Sequence, residues 1–219
     1  MKPRAIIFDA YGTLFDVHSV VHRVPGLSGD LPALSLLWRK KQVEYTWRRA
    51  LMSRYADFWQ VTGEALGSAA HQLRINVSED ALHSLMEAYL SPDVFADVRT
   101  GLDALKQFPL AILSNGSPTM LDAAVRANGL DACFAHVISV DEVKTYKPSP
   151  EVYELGTRTL GQSAETILFV SSNAWDAAGA KAFGYRVCWC NRSGEAMDCL
   201  EFDPDFTVSR LDQISSVLE

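Results

Sequence analysis

Long apolar runs are missing from this chain of 219 residues: none approaches the roughly 20 residues that a membrane helix needs. Positive charge is also short. Lys and Arg number 20 against 27 Asp and Glu, a formal net charge of -7, so a nucleic-acid surface with its basic stripe is not expected. A local positive pocket for a small anion stays open. Cysteine is scarce and unpatterned. Cys133, Cys188, Cys190 and Cys199 form no CxxC and no zinc-like pairing with histidine, and no secretory signal is seen at the start. Reduced, mostly buried thiols in a cytoplasmic protein are expected. His18 and His22 lie four apart, a helical spacing, but without a third ligand they read as packing side chains rather than a metal site. Internal repeats and low-complexity linkers are absent too. What is present, 48% hydrophobic and 21% charged residues, suits one substantial core or a core with a smaller insertion.

Five short apolar runs read as buried parallel strands: AIIF at 5–8, LAILSN at 110–115, HVISV at 136–140, TILFVSS at 166–172 and RVCWCN at 186–191. Helical stretches separate the later ones. Ser149-Pro150-Glu151 supplies a capping serine, a proline for the first turn and an acid for the dipole; Gly161 closes that helix, and Gly129 and Gly184 end two others. Alternating strand and helix with short links indicates an α/β fold with a doubly wound, Rossmann-like parallel sheet. Between about 16 and 93 the rhythm breaks. That interval holds no convincing strand but three helical segments, near 32–59, 63–74 and 78–90, the last capped by Ser78 with Glu79 and Asp80 in its first turn. The pattern predicts a core of residues 1–15 and 94–219, and an all-helical cap of residues 16–93 over the sheet's ligand-binding edge.

Ligands of open α/β sheets bind beyond the carboxyl ends of the strands. Polar residues gather just there. The first run is followed by Asp9, Tyr11 and Thr13. The second ends in Ser114 and Asn115, with Gly116 allowing tight curvature. VKTYKPSP after the third carries Lys144 and Lys147, and the fourth leads to Ser171, Ser172, Asn173 and Asp176. Singly, each has a mundane reading: a strand-end aspartate as a turn residue, Ser-Asn-Gly as a turn, Lys147 as a solvated loop residue, Ser171 to Asp176 as the cap of the next helix. Four such clusters, in order at four strand ends, converge on one crevice.

FDAYGTLFD, LSNGS, YKPSPEVY and SSNAWDAAGAKAFG resemble the four motifs of the haloacid dehalogenase superfamily, and the similarity spans the whole chain. FDAYGTLFDVHSV, LWRKKQ and VSSNAWD are similar to its L-2-haloacid dehalogenase branch. Most of the superfamily resembles phosphatases that use an Asp-x-Asp pair and magnesium. Here Tyr11 takes the place of the second acid, and Ser172-Asn173 stands where those phosphatases carry an acidic metal ligand. The resemblance therefore implies hydrolysis of a carbon–halide bond in a small 2-haloalkanoic acid, without metal or other cofactor. Halide leaves without a proton, which suits a carboxylate nucleophile.

By the same resemblance, Asp9 attacks the carbon bearing halogen with inversion, and water then opens the ester at the Asp9 carbonyl. An L substrate would yield a D-2-hydroxy acid. Lys147 offsets the repulsion between Asp9 and the substrate carboxylate, about 4 kcal/mol at about 4 Å with an effective dielectric near 20, and keeps the nucleophile ionised. Ser114 and nearby backbone N–H groups hold the substrate carboxylate. Arg39, on the first cap helix, reaches the departing halide together with Asn115. Asp176 activates the water, with Ser171 and Asn173 fixing the geometry, while Thr13 and Tyr153 position Asp9 and Lys147. Ala10 and Tyr11 border the substrate, and Tyr11, Phe58 and Trp175 form an apolar wall. The family also implies a homodimer, for which Trp47 and Leu51 are exposed-looking side chains on a long helix. Two alternatives stand: a phosphohydrolase whose Tyr11 has drifted, and a noncatalytic binding protein. Retention of Asp9, Ser114, Lys147 and Asp176 together favours the enzyme.

Overall fold

Ala5-Ile6-Ile7-Phe8 is apolar at every position, as a strand covered on both faces requires. In the computed structural model, which describes residues 2–197 and 200–218, all four of these residues are buried. Cys199 lies outside the described residues. This strand, β1 (Ala5–Phe8), is followed by the two-residue β2 (Phe15–Asp16), by α1 (Leu31–Leu51), α2 (Phe58–Leu73) and α3 (Glu79–Tyr89), and by the two-residue β3 (Asp93–Val94). Next come α4 (Val98–Ala104), β4 (Leu110–Ser114), α5 (Pro118–Ala127), β5 (His136–Ser139) and α6 (Pro150–Leu160). The chain ends through β6 (Ile167–Ser171), α7 (Ala174–Phe183), β7 (Arg186–Cys190), β8 (Phe206–Val208) and α8 (Ile214–Val217).

The main sheet runs β5-β4-β1-β6-β7-β8, with every pairing parallel. From β1 the chain steps outward to β4 and β5, then returns to the other side of β1 for β6, β7 and β8. That reversal opens a crevice beyond the ends of β1 and β6. The expected α/β sheet is therefore present, with β8 as an added edge strand. Ile6, Ile7 and Phe8 are wholly withdrawn from water, and each such side chain contributes about 1.5–3 kcal/mol. This rigid centre fixes where the next residue, Asp9, stands.

The segment between β2 and β3 is helical, but its details depart from expectation. The first helix does not continue to residue 59. It ends at Leu51; Ser53 takes φ +53°, and Asp57 caps a new helix by accepting the Gln60 N–H at 2.8 Å. Phe58 consequently opens α2, which runs through Gly63 without interruption. Two short strands were not expected here: β2 and β3 pair antiparallel, Phe15 opposite Val94 and Asp16 opposite Asp93. Ser78 caps α3 through Ala81 N–H, whereas Ser149 occupies the cap position of α6 without a side-chain bond. His18 sits in a turn against Ser35 Oγ, and His22 is exposed in a separate 3-10 turn, so the two share no helical face. Trp47 is half-buried edge-on against Trp175, which leaves Leu51, 88% exposed, as the bare apolar residue of that pair.

Candidate active site

Asp9 leaves β1 with its N–H still in the sheet, donating to the Val170 carbonyl of β6 at 2.9 Å. Its carboxylate meets three donors. Lys147 Nζ reaches Oδ1 at 3.0 Å; Thr13 Oγ1 and Asn173 Nδ2 reach Oδ2 at 3.0 and 2.8 Å. Thr13 Oγ1 also accepts the Ser172 N–H at 2.8 Å, so its own proton is committed to Asp9. A sharp turn brings Thr13 back to Asp9. The buried Ala10 carbonyl accepts the N–H groups of Thr13, Leu14 and Phe15, and Gly12 supplies the φ of +93° that a side chain would resist. Ala10 thus shapes the turn through its backbone.

Lys147 is buried and bridges two carboxylates, lying 2.9 Å from Asp176 Oδ2 as well as 3.0 Å from Asp9. Its N–H is held by Asn115 Oδ1 at 3.0 Å, which ties the end of β4 to the lysine loop. Burial works against the ammonium charge, but Asp176 and Asp9 outweigh it and hold the lysine pKa above its ordinary value. Asp176 is fully enclosed at the start of α7. Burial raises its carboxyl to about 6, with the Asp9 charge adding to the rise and Lys147 opposing it. Tyr153 donates to Asp176 Oδ1 at 2.8 Å; burial, followed by the Asp176 charge, keeps that phenol protonated. Ser171 Oγ accepts the Asn173 N–H at 3.1 Å, fixing the turn that aims Asn173 at Asp9.

Arg39 descends from α1. Its Nη2 donates to the Tyr11 carbonyl at 2.9 Å and to Asn173 Oδ1 at 3.3 Å, and its Nη1 to Gln42 Oε1 at 2.8 Å. Above Asp9, Tyr11 packs against Phe58 and Tyr89, ring centroids 5.7 and 5.4 Å away. Ser114 is buried with Oγ accepting the Gly116 N–H at 3.1 Å. Two carboxylates, two cations, oriented hydroxyls and an aromatic wall thus gather around the end of β1. Such a set can position a carboxylate for nucleophilic attack beside a second carboxylate suited to deprotonating water.

Asp9, Thr13, Arg39, Lys147, Tyr153, Ser171, Asn173 and Asp176 therefore form one hydrogen-bonded cluster, with Ser114 and Asn115 beside it. Four expectations need correction. Tyr153 bonds Asp176, not Asp9 or Lys147. Trp175 packs its ring on Trp47 rather than on Tyr11 or Phe58, and lines a cavity with Gly12, Arg39 and Asn173. Lys144 pairs with Asp141 at the surface. Gly116 matters for space rather than curvature, because a Cβ there would stand 2.8 Å from Tyr11 Cε2.

Sequence reasoning did not single out Gln42, Thr62, Tyr89 or Arg192. Gln42 lies within LWRKKQ, one helical turn beyond Arg39, which was its available signal. Arg192 follows the fifth apolar run, where the strand-end rule also points. It pairs with Asp97 through Nη1, donates to the Thr13 carbonyl at 2.9 Å, and stacks 4.1 Å over Phe95.

A family model described as haloacid dehalogenase-like hydrolase matches residues 3–184. A haloacetate dehalogenase of Moraxella is 49% identical, over 97% of this chain and 96% of that protein. An (S)-2-haloacid dehalogenase of a Pseudomonas strain is 46% identical, over 99% and 94% respectively. Among solved structures, the L-2-haloacid dehalogenase of Xanthobacter autotrophicus with chloropropionic acid covalently bound superposes with a TM-score of 0.90, at 37% identity over 99% of this chain and 98% of that one.

Proposed function

The chain belongs to the haloacid dehalogenase-like hydrolases, and from that premise we propose that it is an (S)-2-haloacid dehalogenase, a hydrolase of carbon–halide bonds that turns L-2-haloalkanoic acids into D-2-hydroxy acids. The observation that carries this reading is Asp9, gripped by Lys147, Thr13 and Asn173 and followed two residues on by Tyr11 instead of an acid. A phosphohydrolase would need a proton donor at that position for an alkoxide leaving group. Burial holds the Tyr11 phenol well above its ordinary pKa, and its hydroxyl has no hydrogen-bond partner among the described residues. Halide needs no proton. The dehalogenase reading thus uses what is there.

In the first step an Asp9 oxygen forms a bond to C2 as the C2–halogen bond breaks, and the bonding pair leaves with the halide. Ser114 and neighbouring N–H groups hold the substrate carboxylate, Arg39 and Asn115 face the leaving group, and Tyr11 with Phe58 encloses the alkyl group. In the second step Asp176 takes a proton from water, whose oxygen adds to the Asp9 carbonyl carbon. Collapse expels the 2-hydroxy acid oxygen, which takes that proton from Asp176, and the second water proton passes from the Asp9 carboxyl to solvent, restoring the carboxylate. Lys147 stays paired with Asp176 throughout.

The same reading extends to organisation. The helical insertion, residues 16–93, acts as a cap hinged at the β2–β3 ribbon, over a core of residues 1–15 and 94–219. Turnover needs no divalent metal, since Lys147 already occupies the space between the two carboxylates. The protein works in the cytoplasm, in keeping with its free Cys133, Cys188 and Cys190, and pairs as a homodimer through the face of α1 that bares Leu51. One experiment tests the chemistry. Excess enzyme is mixed with L- or D-2-chloropropionate in oxygen-18 water containing a chelator. The L substrate should release chloride and give unlabelled D-lactate in the first turnover, with the label in Asp9. Label appearing directly in the lactate, or halide release that requires magnesium, would overturn the reading.

A further inference from the structure

Arg39 is held differently from Lys147 and Arg192, the other cations near Asp9 and its turn. Lys147 is paired with two carboxylates and Arg192 with Asp97. Among the described residues, Arg39 makes no ion pair, and its hydrogen-bond partners are all neutral: the Tyr11 carbonyl, Asn173 Oδ1 and Gln42 Oε1. Gln42 is wholly buried, and what fixes it can be followed proton by proton. Thr62 Oγ1 donates to the Phe58 carbonyl at 2.5 Å, so only its lone pair is left for Gln42. Gln42 Nε2 donates to that lone pair at 2.7 Å. The carboxamide is thereby oriented with Oε1 towards Arg39, and Tyr89 adds a second donor to the same oxygen at 3.0 Å. Thr62 and Tyr89 are buried as well. Such a chain is costly to disturb, because every polar group in it has its partner.

We propose that Gln42, oriented by Thr62 and Tyr89 across the three helices of the insertion, is a positioning residue that sets the Arg39 guanidinium while leaving its charge uncompensated. A glutamate would fit the same space and accept the same two donors, with Thr62 turning its hydroxyl proton from the Phe58 carbonyl to the second oxygen, but would neutralise Arg39. The choice of an amide keeps the cation available to an anion arriving at the Asp9 side. The inference rests on reading Arg39 as the cation that receives the leaving halide.

The test compares wild type, Gln42→Glu, Thr62→Val and Thr62→Ser. For each, bromide is titrated calorimetrically, and single-turnover halide release is measured with L-2-chloropropionate and L-2-bromopropionate. Gln42→Glu should weaken bromide binding by at least about tenfold, because compensating a charge at hydrogen-bond range exceeds the free energy of one decade. Chloride release should suffer more than bromide release, so the bromide-to-chloride rate ratio should rise, since the poorer leaving group depends more on Arg39. Thr62→Val should weaken bromide binding too, and Thr62→Ser should restore it. A folded Gln42→Glu protein with wild-type bromide affinity and rate ratio would overturn the proposal. Should Gln42→Glu fail to fold, equal bromide affinity in Thr62→Val and wild type would do so. If wild type binds bromide but releases no halide from either acid, the dehalogenase reading falls while the titrations still decide the role of Gln42.

Discussion

In the proposed mechanism, replacing Asp176 with asparagine should separate the two chemical steps. The carboxylate receives Lys147 Nζ on one oxygen at 2.9 Å and the Tyr153 hydroxyl on the other at 2.8 Å. An asparagine can keep its carbonyl towards Lys147 and offer its N–H to Tyr153, whose hydroxyl turns to accept. The structural cost is then about 1.5–3 kcal/mol, that of one charge-assisted hydrogen bond. It stays below the cost of stranding a buried charge, because Asp9 remains 3.0 Å from the ammonium. Attack on carbon uses Asp9, Lys147 and the halide side, all retained. Ester hydrolysis loses its base, a penalty of roughly 10²–10⁴ in rate. Asp176→Asn should release up to one halide per active site and then stall, with intact-protein mass spectrometry showing the substrate bound to Asp9 as an ester through C2. A folded Asp176→Asn protein that turns over at the wild-type rate and carries no adduct would refute the assignment.

Two further outcomes follow from the same contacts. Steady-state turnover should fall on the acid side with a midpoint at or below about pH 6, where Asp176 becomes protonated, while Lys147, held above its ordinary value by Asp176 and Asp9, imposes no alkaline limb near neutrality; a pH–rate profile that is flat down to pH ~4 would contradict it. Gly116→Ala should press a methyl group against Tyr11 Cε2 at 2.8 Å and Leu121 Cδ2 at 3.0 Å, costing about 1–3 kcal/mol and lowering Tm by roughly 3–10 °C; an unchanged melting temperature would show that the Tyr11 ring is not confined there.

Much of the cluster was legible because a parallel sheet marks its own ligand edge. Where β1, β4 and β6 end, an apolar run gives way to Asp9, to Ser114-Asn115 and to Ser172-Asn173, and the backbone leaves those side chains no other place to gather. The connectivity among them was less legible. Whether Tyr153 serves Asp176 or Asp9 depends on how α6 lies against α7, which spacing does not encode. The break between α1 and α2 went unseen because neither glycine nor proline marks residues 52–57; its signals are Asp57 as a cap and Ser53 in a left-handed conformation. β8 is three residues at the sheet edge, too short for a periodic pattern. Gln42, Thr62 and Tyr89 come from three different helices, so their meeting is a product of packing rather than of any local motif.

The charges around Asp9 explain why two cations are needed and why they are unlike. Asp9 and Asp176 are balanced by Lys147 and Arg39 before substrate arrives, and a haloacid then adds one negative charge. Alkylation leaves the total unchanged but moves one negative charge from Asp9 to the halide. In the proposed mechanism Lys147 stabilises the charge where it starts, so by itself it holds the reactant back; Arg39, which pairs with no carboxylate among the described residues, would stabilise it where it goes. Once Asp9 is an ester, Lys147 has Asp176 as its remaining carboxylate partner, and the Asp9 charge that helped raise the Asp176 pKa is gone. Asp176 therefore becomes easier to ionise in the intermediate than in the free enzyme. Because kcat reports ionisations of the bound states and kcat/KM those of the free enzyme, the acid limb of kcat should lie at lower pH than any limb that Asp176 imposes on kcat/KM. The opposite order would mean that Asp9 keeps its charge through the cycle, which no ester mechanism allows.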